Sequence, residues 1–175
     1  EGVHSGSSSG SVPDSFRLAR LLLARLETGG GGIRVPELLT DPPKDRFIQA
    51  ARTAEVLGEA VFTDFPWVPG AHPDLEADLA ELLMLRTWSP ALTVIGADGL
   101  PNLEAGNVLR PFTTLRLSMR IPPTVDPGRA AEAMKRVLEG HPRLYGADVT
   151  FNPDQMADGW NAPPLAPWLE ESVND

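Results

Sequence analysis

The 175-residue chain has no cysteine, one tyrosine and three histidines, and it carries 15 basic against 24 acidic side chains. Without cysteine it can form no disulfide, thiolate metal site or thiol nucleophile, and composition leaves the redox compartment undecided. With His4, His72 and His141 as its only imidazoles, it has little from which to build a zinc centre, which needs at least three protein ligands. A net charge of −9 is the wrong sign for gripping a phosphate backbone, so no nucleic-acid partner is expected. The longest aliphatic run, 21–24, is far short of the ~20 apolar residues that span a bilayer, and no membrane partner is expected either. An initiator methionine, a basic leader and an apolar leader core are also missing. That predicts a chain that starts inside a longer protein or after processing, and a cytoplasmic location.

What is present reads as one compact domain by length. Its 16 glycines and 18 prolines make about a fifth of the chain, short of the ~25–30% that marks disorder. Residues 5–11 are all Gly and Ser and are expected to form a loop. Val12-Pro13-Asp14 sets up a helix start, with Asp14 or Ser15 as cap. Phe16, Ala19, Leu23 and Leu26 then recur at spacings of three and four, which predicts an amphipathic helix ending before Gly29–Gly32. Asp41-Pro42-Pro43 opens a second helix with Ile48, Ala51, Ala54, Leu57 and Val61 as its apolar face. A Pro-rich loop over 65–70 leads to a third helix over about 75–87.

The second half changes period. Residues 92–95 read as a short strand, and within 112–121 Leu115, Leu117, Met119 and Ile121 alternate with Thr114, Arg116, Ser118 and Arg120, the pattern of a half-buried strand. Asp126-Pro127 starts a helix that Gly140 ends, with Glu132 and Arg136 spaced to pair. Tyr145, Ala147, Val149 and Phe151 suggest a last strand, and Val3 the remnant of a first. The predicted class is α+β: a ferredoxin-like βαββαβ sandwich, four antiparallel strands with two helices on one face, plus a helical insertion over 38–90.

Several motifs have ordinary readings. Gly6-Ser7-Ser8-Ser9-Gly10 satisfies G-x-S-x-G, but a nucleophile elbow needs a core strand before it, so Ser8 is expected to sit in a flexible loop. His72-Pro73-Asp74 has metal-ligand spacing without a third ligand nearby, and Glu170-Glu171 reads as a solvated helix face. Trp67, Trp88, Trp160 and Trp168 lack interleaved basic residues, so burial or interface packing is expected. Three polar residues stand out: His4 at a strand end, Asn107 before Val108, and Arg120 on the polar strand face. Each also fits a structural role, as strand-end cap, turn residue and exposed strand arginine.

At these same residues the sequence resembles a known family. Gly2-Val3-His4-Ser5-Gly6, Val12-Pro13 before a helix, Gly106-Asn107-Val108-Leu109-Arg110-Pro111 and Leu117-Ser118-Met119-Arg120-Ile121-Pro122-Pro123 look like the lid or dimerisation domain of the two-zinc exopeptidases. That family includes aminoacylases, carnosine-type dipeptidases, glutamate carboxypeptidases and succinyl-diaminopimelate desuccinylase. The resemblance covers about 1–151, and 152–175 resembles the stretch where the chain returns to the catalytic domain, so the sequence is expected to be cut on both sides of the lid. It implies a homodimer and a missing catalytic domain holding two zinc ions, with no cofactor and no activity in this part alone. The implied substrate is a small peptide or acyl-amino acid. It also implies roles: His4 as a catalytic donor to the substrate carbonyl in the partner subunit's site, and Asn107 and Arg120 as substrate-binding residues, Arg120 facing a carboxylate. In the family's order His72-Pro73-Asp74 and Glu170-Glu171 are decoys. The other reading is a free-standing ferredoxin-like module that binds a small ligand through Arg116 and Arg120.

Overall fold

The computed structural model describes residues 2–73, 77–140, 144–164 and 166–174, and for 170, 173 and 174 the backbone alone. Asp74, His141 and the expected helix start at 75 therefore lie outside the described residues. In chain order the elements are β1 (Val3–His4), α1 (Ser5–Ser8), α2 (Ser15–Leu26), a 3₁₀ turn (Pro36–Leu38), α3 (Lys44–Leu57), α4 (Ala60–Thr63) and α5 (Leu79–Thr87). Then follow β2 (Ala91–Asp98), β3 (Val108–Leu109), β4 (Thr114–Arg120), α6 (Pro127–Glu139), a second 3₁₀ turn (Leu144–Gly146) and α7 (Pro167–Asn174).

Two helix starts follow the predicted caps, whereas α3 begins after Pro43 with no side-chain cap. The Asp14 carboxylate accepts the Arg17 amide at 2.8 Å and Asp126 accepts that of Arg129 at 2.7 Å, each satisfying an amide that the first helical turn leaves open. Asp78 and Glu81 close a reciprocal capping box on α5. Four glycines after Leu26 end α2, whose Arg25 reaches the Val137 and Gly140 carbonyls at the C-terminal end of α6 (3.3 and 3.4 Å).

β2 and β4 pair antiparallel, Leu92 opposite Met119 and Val94 opposite Leu117; Ile95 is the extra residue of a bulge before Gly96 meets Arg116. Alternation on β4 puts Leu117 and Met119 against the main core of Leu26, Val35, Leu38, Ala130, Ala133, Met134 and Leu138. Thr114, Arg116 and Arg120 are exposed on the other face, as the period-2 pattern predicts. A second, smaller core of Ala50, Met84 and Trp88 joins α3 to α5.

The four-stranded ferredoxin-like sheet is not formed among the described residues, which hold two two-stranded sheets, β1–β3 and β2–β4. The expected strand over 145–151 begins instead in a 3₁₀ turn with Tyr145 at φ 53, a left-handed conformation that no extended strand accommodates. Downstream, the Phe151 amide finds its partner in the Glu139 carboxylate at 2.7 Å rather than in a ladder. Val149 and Phe151 still pack on the main core, so the alternation correctly marked a buried face without a sheet partner. β3, two residues long, carries too short a pattern to be read from sequence. The loop expected over 5–11 opens with the helical turn α1. On α3 the buried residues are Ala50 and Ala54, whereas Ile48 and Leu57 are exposed at 55% and 45%; the helix meets α5 through its small side chains. Arg136 pairs with Glu37 and Lys135 with Glu139, in place of the expected Glu132–Arg136 pair. Trp88 is buried, but Trp160 and Trp168 are 80% and 70% exposed and Trp67 42%.

Candidate functional site

His4 ends β1 opposite Val108, and the Ser5 amide donates to the Asn107 carbonyl at 2.8 Å. The β1–β3 ladder thus sets His4 and Asn107, both exposed, on adjacent backbone. Two glycines make this geometry possible. A Cβ on Gly2 would run into the Val108 side chain, and one on Gly6 would lie 3.1 Å from His4 Cε1. The Gly-Val-His-Ser-Gly string is therefore a packing requirement: Gly2 admits β3 alongside, and Gly6 admits the imidazole above the first turn of α1.

The Gly6 amide donates to His4 Nδ1 at 3.1 Å. A ring nitrogen that accepts cannot carry the proton, so this bond selects the neutral tautomer with N–H at Nε2. The exposed ring thereby presents an N–H donor to solvent from a strand end whose backbone is fixed on both sides. Ser8, the centre of the G-x-S-x-G string, is 3% exposed and its hydroxyl donates to the His4 carbonyl at 3.1 Å. It braces the histidine turn, and a hydroxyl this buried and bonded to backbone carbonyls is not placed as a nucleophile.

Arg120 belongs to the other ladder. It sits opposite Ala91 at the end of β4, roughly 20 Å along the strand from Thr114 at ~3.3 Å per residue. It makes no hydrogen bond or ion pair with His4 or Asn107. Arg116, four residues earlier on the same face, pairs with Asp154 at 3.2 Å, so the two arginines of the ligand-module reading are not an open pair. His72 Nδ1 lies 2.7 Å from the Pro73 carbonyl in an exposed loop. Among the described residues no three His, Cys, Asp or Glu side chains converge on a point fit for a metal, and no helix is long and apolar enough to cross a membrane.

Sequence reading missed Arg46. Its guanidinium donates to Gln49 Oε1 (2.7 Å), Asn161 Oδ1 (2.8 Å) and the Ala162 carbonyl (2.6 Å) and lies 5.9 Å from the Trp88 ring centroid. This side chain fastens the 161–162 segment to the helical insertion. No local signal marks the tether, because Asn161 and Ala162 are over a hundred residues away in sequence.

No family model matches the chain, and no curated protein matches it. Solved structures do. Human carnosine dipeptidase 1 superposes with a TM-score of 0.57 at 18% identity over 79% of this chain and 29% of its own. The di-peptidase Dug1p from Saccharomyces cerevisiae gives 0.55 at 18% over 78% and 28%. The M20 family metallo-carboxypeptidase Sso-CP2 from Sulfolobus solfataricus gives 0.55 at 16% over 78% and 35%. The chain thus spans about a third, or less, of the length of these proteins, and it has the fold of one part of dipeptidase and metallo-carboxypeptidase chains.

Proposed function

We infer that the chain is the lid and dimerisation domain of a metallopeptidase of the M20 type, acting on a small peptide or acyl-amino-acid amide bond. The observation that carries this reading is the Gly6 amide bond to His4 Nδ1 at 3.1 Å, which leaves Nε2 as the ring nitrogen able to donate. In the proposal, Nε2–H of His4 reaches the active site of the partner subunit and donates to the substrate carbonyl oxygen as negative charge develops there. A preorganised donor of this kind is worth roughly 10²–10³ in rate. Fixing the ring beforehand through Gly6 and Ser8 spares the reorganisation that a free side chain would undergo in each turnover. The fold likeness supports the same reading: most of this chain matches a minor share of each enzyme, as expected of an inserted domain.

Asn107, on the backbone that pairs with the His4 turn, is proposed to hydrogen-bond the substrate. Arg120 is proposed to take a substrate carboxylate through its planar, two-pronged guanidinium. The catalytic domain of the parent is proposed to hold the two zinc ions and to lie in the cytoplasm, with the functional unit a homodimer; the chain by itself is proposed to be inactive.

Complementation in the full-length enzyme tests the arrangement. His4→Ala and Arg120→Ala homodimers are each expected to lose activity. If His4 serves the partner's site and Arg120 its own, mixed dimers contain one intact site, and randomly mixed subunits recover about a quarter of wild-type activity. Mixed dimers with no recovered activity would sink the shared-site reading, and an unimpaired His4→Ala enzyme would remove His4 from the chemistry.

A further inference from the structure

The helical insertion carries a groove of about 520 Å³ lined by Phe62, Phe65, Trp67, Leu82, Leu85 and Arg86 among others. Its volume lies within the ~300–1,000 Å³ of small-molecule sites. The aromatic walls are fixed: Trp67 Nε1 donates to the Phe62 carbonyl at 2.7 Å, and the Phe65 and Trp67 rings meet edge to face at 6.4 Å and 86°. Phe65, Trp67 and Leu85 remain 44%, 42% and 53% exposed, so apolar surface is held open to water.

Arg86 is the one charged residue among the described ones lining this groove. Its guanidinium lies 4.9 Å from the Phe65 ring centroid and donates through Nη1 to the Val61 carbonyl at 3.1 Å. These two contacts fix the plane of the fork, and among the described residues no carboxylate lies within 4 Å of its remaining N–H groups. In a chain of net charge −9, a held cation that meets no carboxylate among the described residues, at the rim of an apolar trough, is complementary to an anion with a hydrocarbon body.

We propose that this groove binds a small apolar carboxylate, its hydrocarbon body between the Phe65, Trp67 and Leu85 side chains and its carboxylate on the Arg86 fork. A charge-assisted, two-pronged contact at a partly dry rim gives the acid an advantage over an isosteric neutral ligand. The site is on the helical insertion, remote in sequence from His4, Asn107 and Arg120, and its test reads binding alone.

Titration calorimetry on the 175-residue chain with naphthaleneacetate and its neutral analogue naphthaleneethanol separates the two contributions. The acid is expected to saturate one site and to bind at least about tenfold more tightly than the alcohol. Arg86→Met is expected to erase that preference while the alcohol's affinity stays unchanged, and Leu82→Gln to weaken both ligands. Equal binding of acid and alcohol to the wild-type chain overturns the proposal, as does a preference that survives Arg86→Met. Because the wild-type comparison needs no variant, a misfolded mutant cannot rescue or spoil it. Concentration-dependent self-association abolished by Leu85→Glu would assign the groove to a second copy and also overturn the assignment.

Discussion

Arg46 offers the sharpest test of how the chain is held together. Its side chain is 14% exposed, its Nε is buried without a hydrogen-bond partner, 3.7 Å from Asp45, and its Nη2 supports two bonds to 161–162. A hydrogen bond from a charged donor contributes about 1.5–3 kcal/mol net. The Asn161 acceptor is exposed and water replaces it readily, so only the half-buried Ala162 carbonyl is counted at that value. Arg46→Gln should therefore raise the opening equilibrium of the segment around Trp160 roughly 10- to 150-fold, at 1.4 kcal/mol per factor of ten. Chymotryptic cleavage after Trp160 reports this directly, since cleavage tracks the open population when reclosing is fast. Gln49→Ala is the control: it removes a bond within α3 and should leave cleavage at the wild-type rate. If Arg46→Gln is cleaved no faster than wild type, or Gln49→Ala is cleaved equally fast, Arg46 does not hold the segment.

Leu26, fully buried at the centre of the main core, should cost about 2–5 kcal/mol when changed to Ala, read as a lower midpoint in urea. Asp78→Ala, which opens the α5 capping box, should cost about 1 kcal/mol by the same measurement. Gly6→Ala sets a methyl against the His4 ring and should loosen the Nδ1 bond; ¹⁵N shifts of the imidazole are expected to change from a single Nε2–H tautomer toward an averaged pair, and an unchanged spectrum would refute the link.

Helix positions were legible because their signals are local. Asp14 and Asp126 act on amides three residues away, and the apolar spacing of α2 and α6 needs no partner to be read. Strand pairing was less legible. Val149 and Phe151 alternate as a strand would and are drawn to the core, yet alternation reports which side is apolar and says nothing about whether a neighbouring backbone is free to pair. Tyr145 at φ 53 and the Glu139 carboxylate on the Phe151 amide decided the outcome. Of the apolar face expected from Ile48 to Val61, Ala54 and Val61 are buried but Ile48 and Leu57 are exposed, because close approach to α5 favours Ala50 and Ala54.

The candidate site divides in the same way. The His4 turn is specified within seven residues: Gly2, Gly6 and Ser8 each have a contact that accounts for them, although the buried Ser8 was expected in a flexible loop. Asn107 comes to that turn only through β3, a two-residue strand a hundred residues on, and Arg120 stands on a ladder that shares no strand with it. An imidazole donor and a guanidinium on separate two-stranded sheets have no bond that would bring them onto one small substrate within a single copy. A second copy related by a two-fold axis repeats both ladders, and it is the simplest arrangement in which a His4 of one chain and an Arg120 of the other face the same molecule. The proposed dimer accords with two ladders that share no strand, and mixed dimers are the decisive experiment.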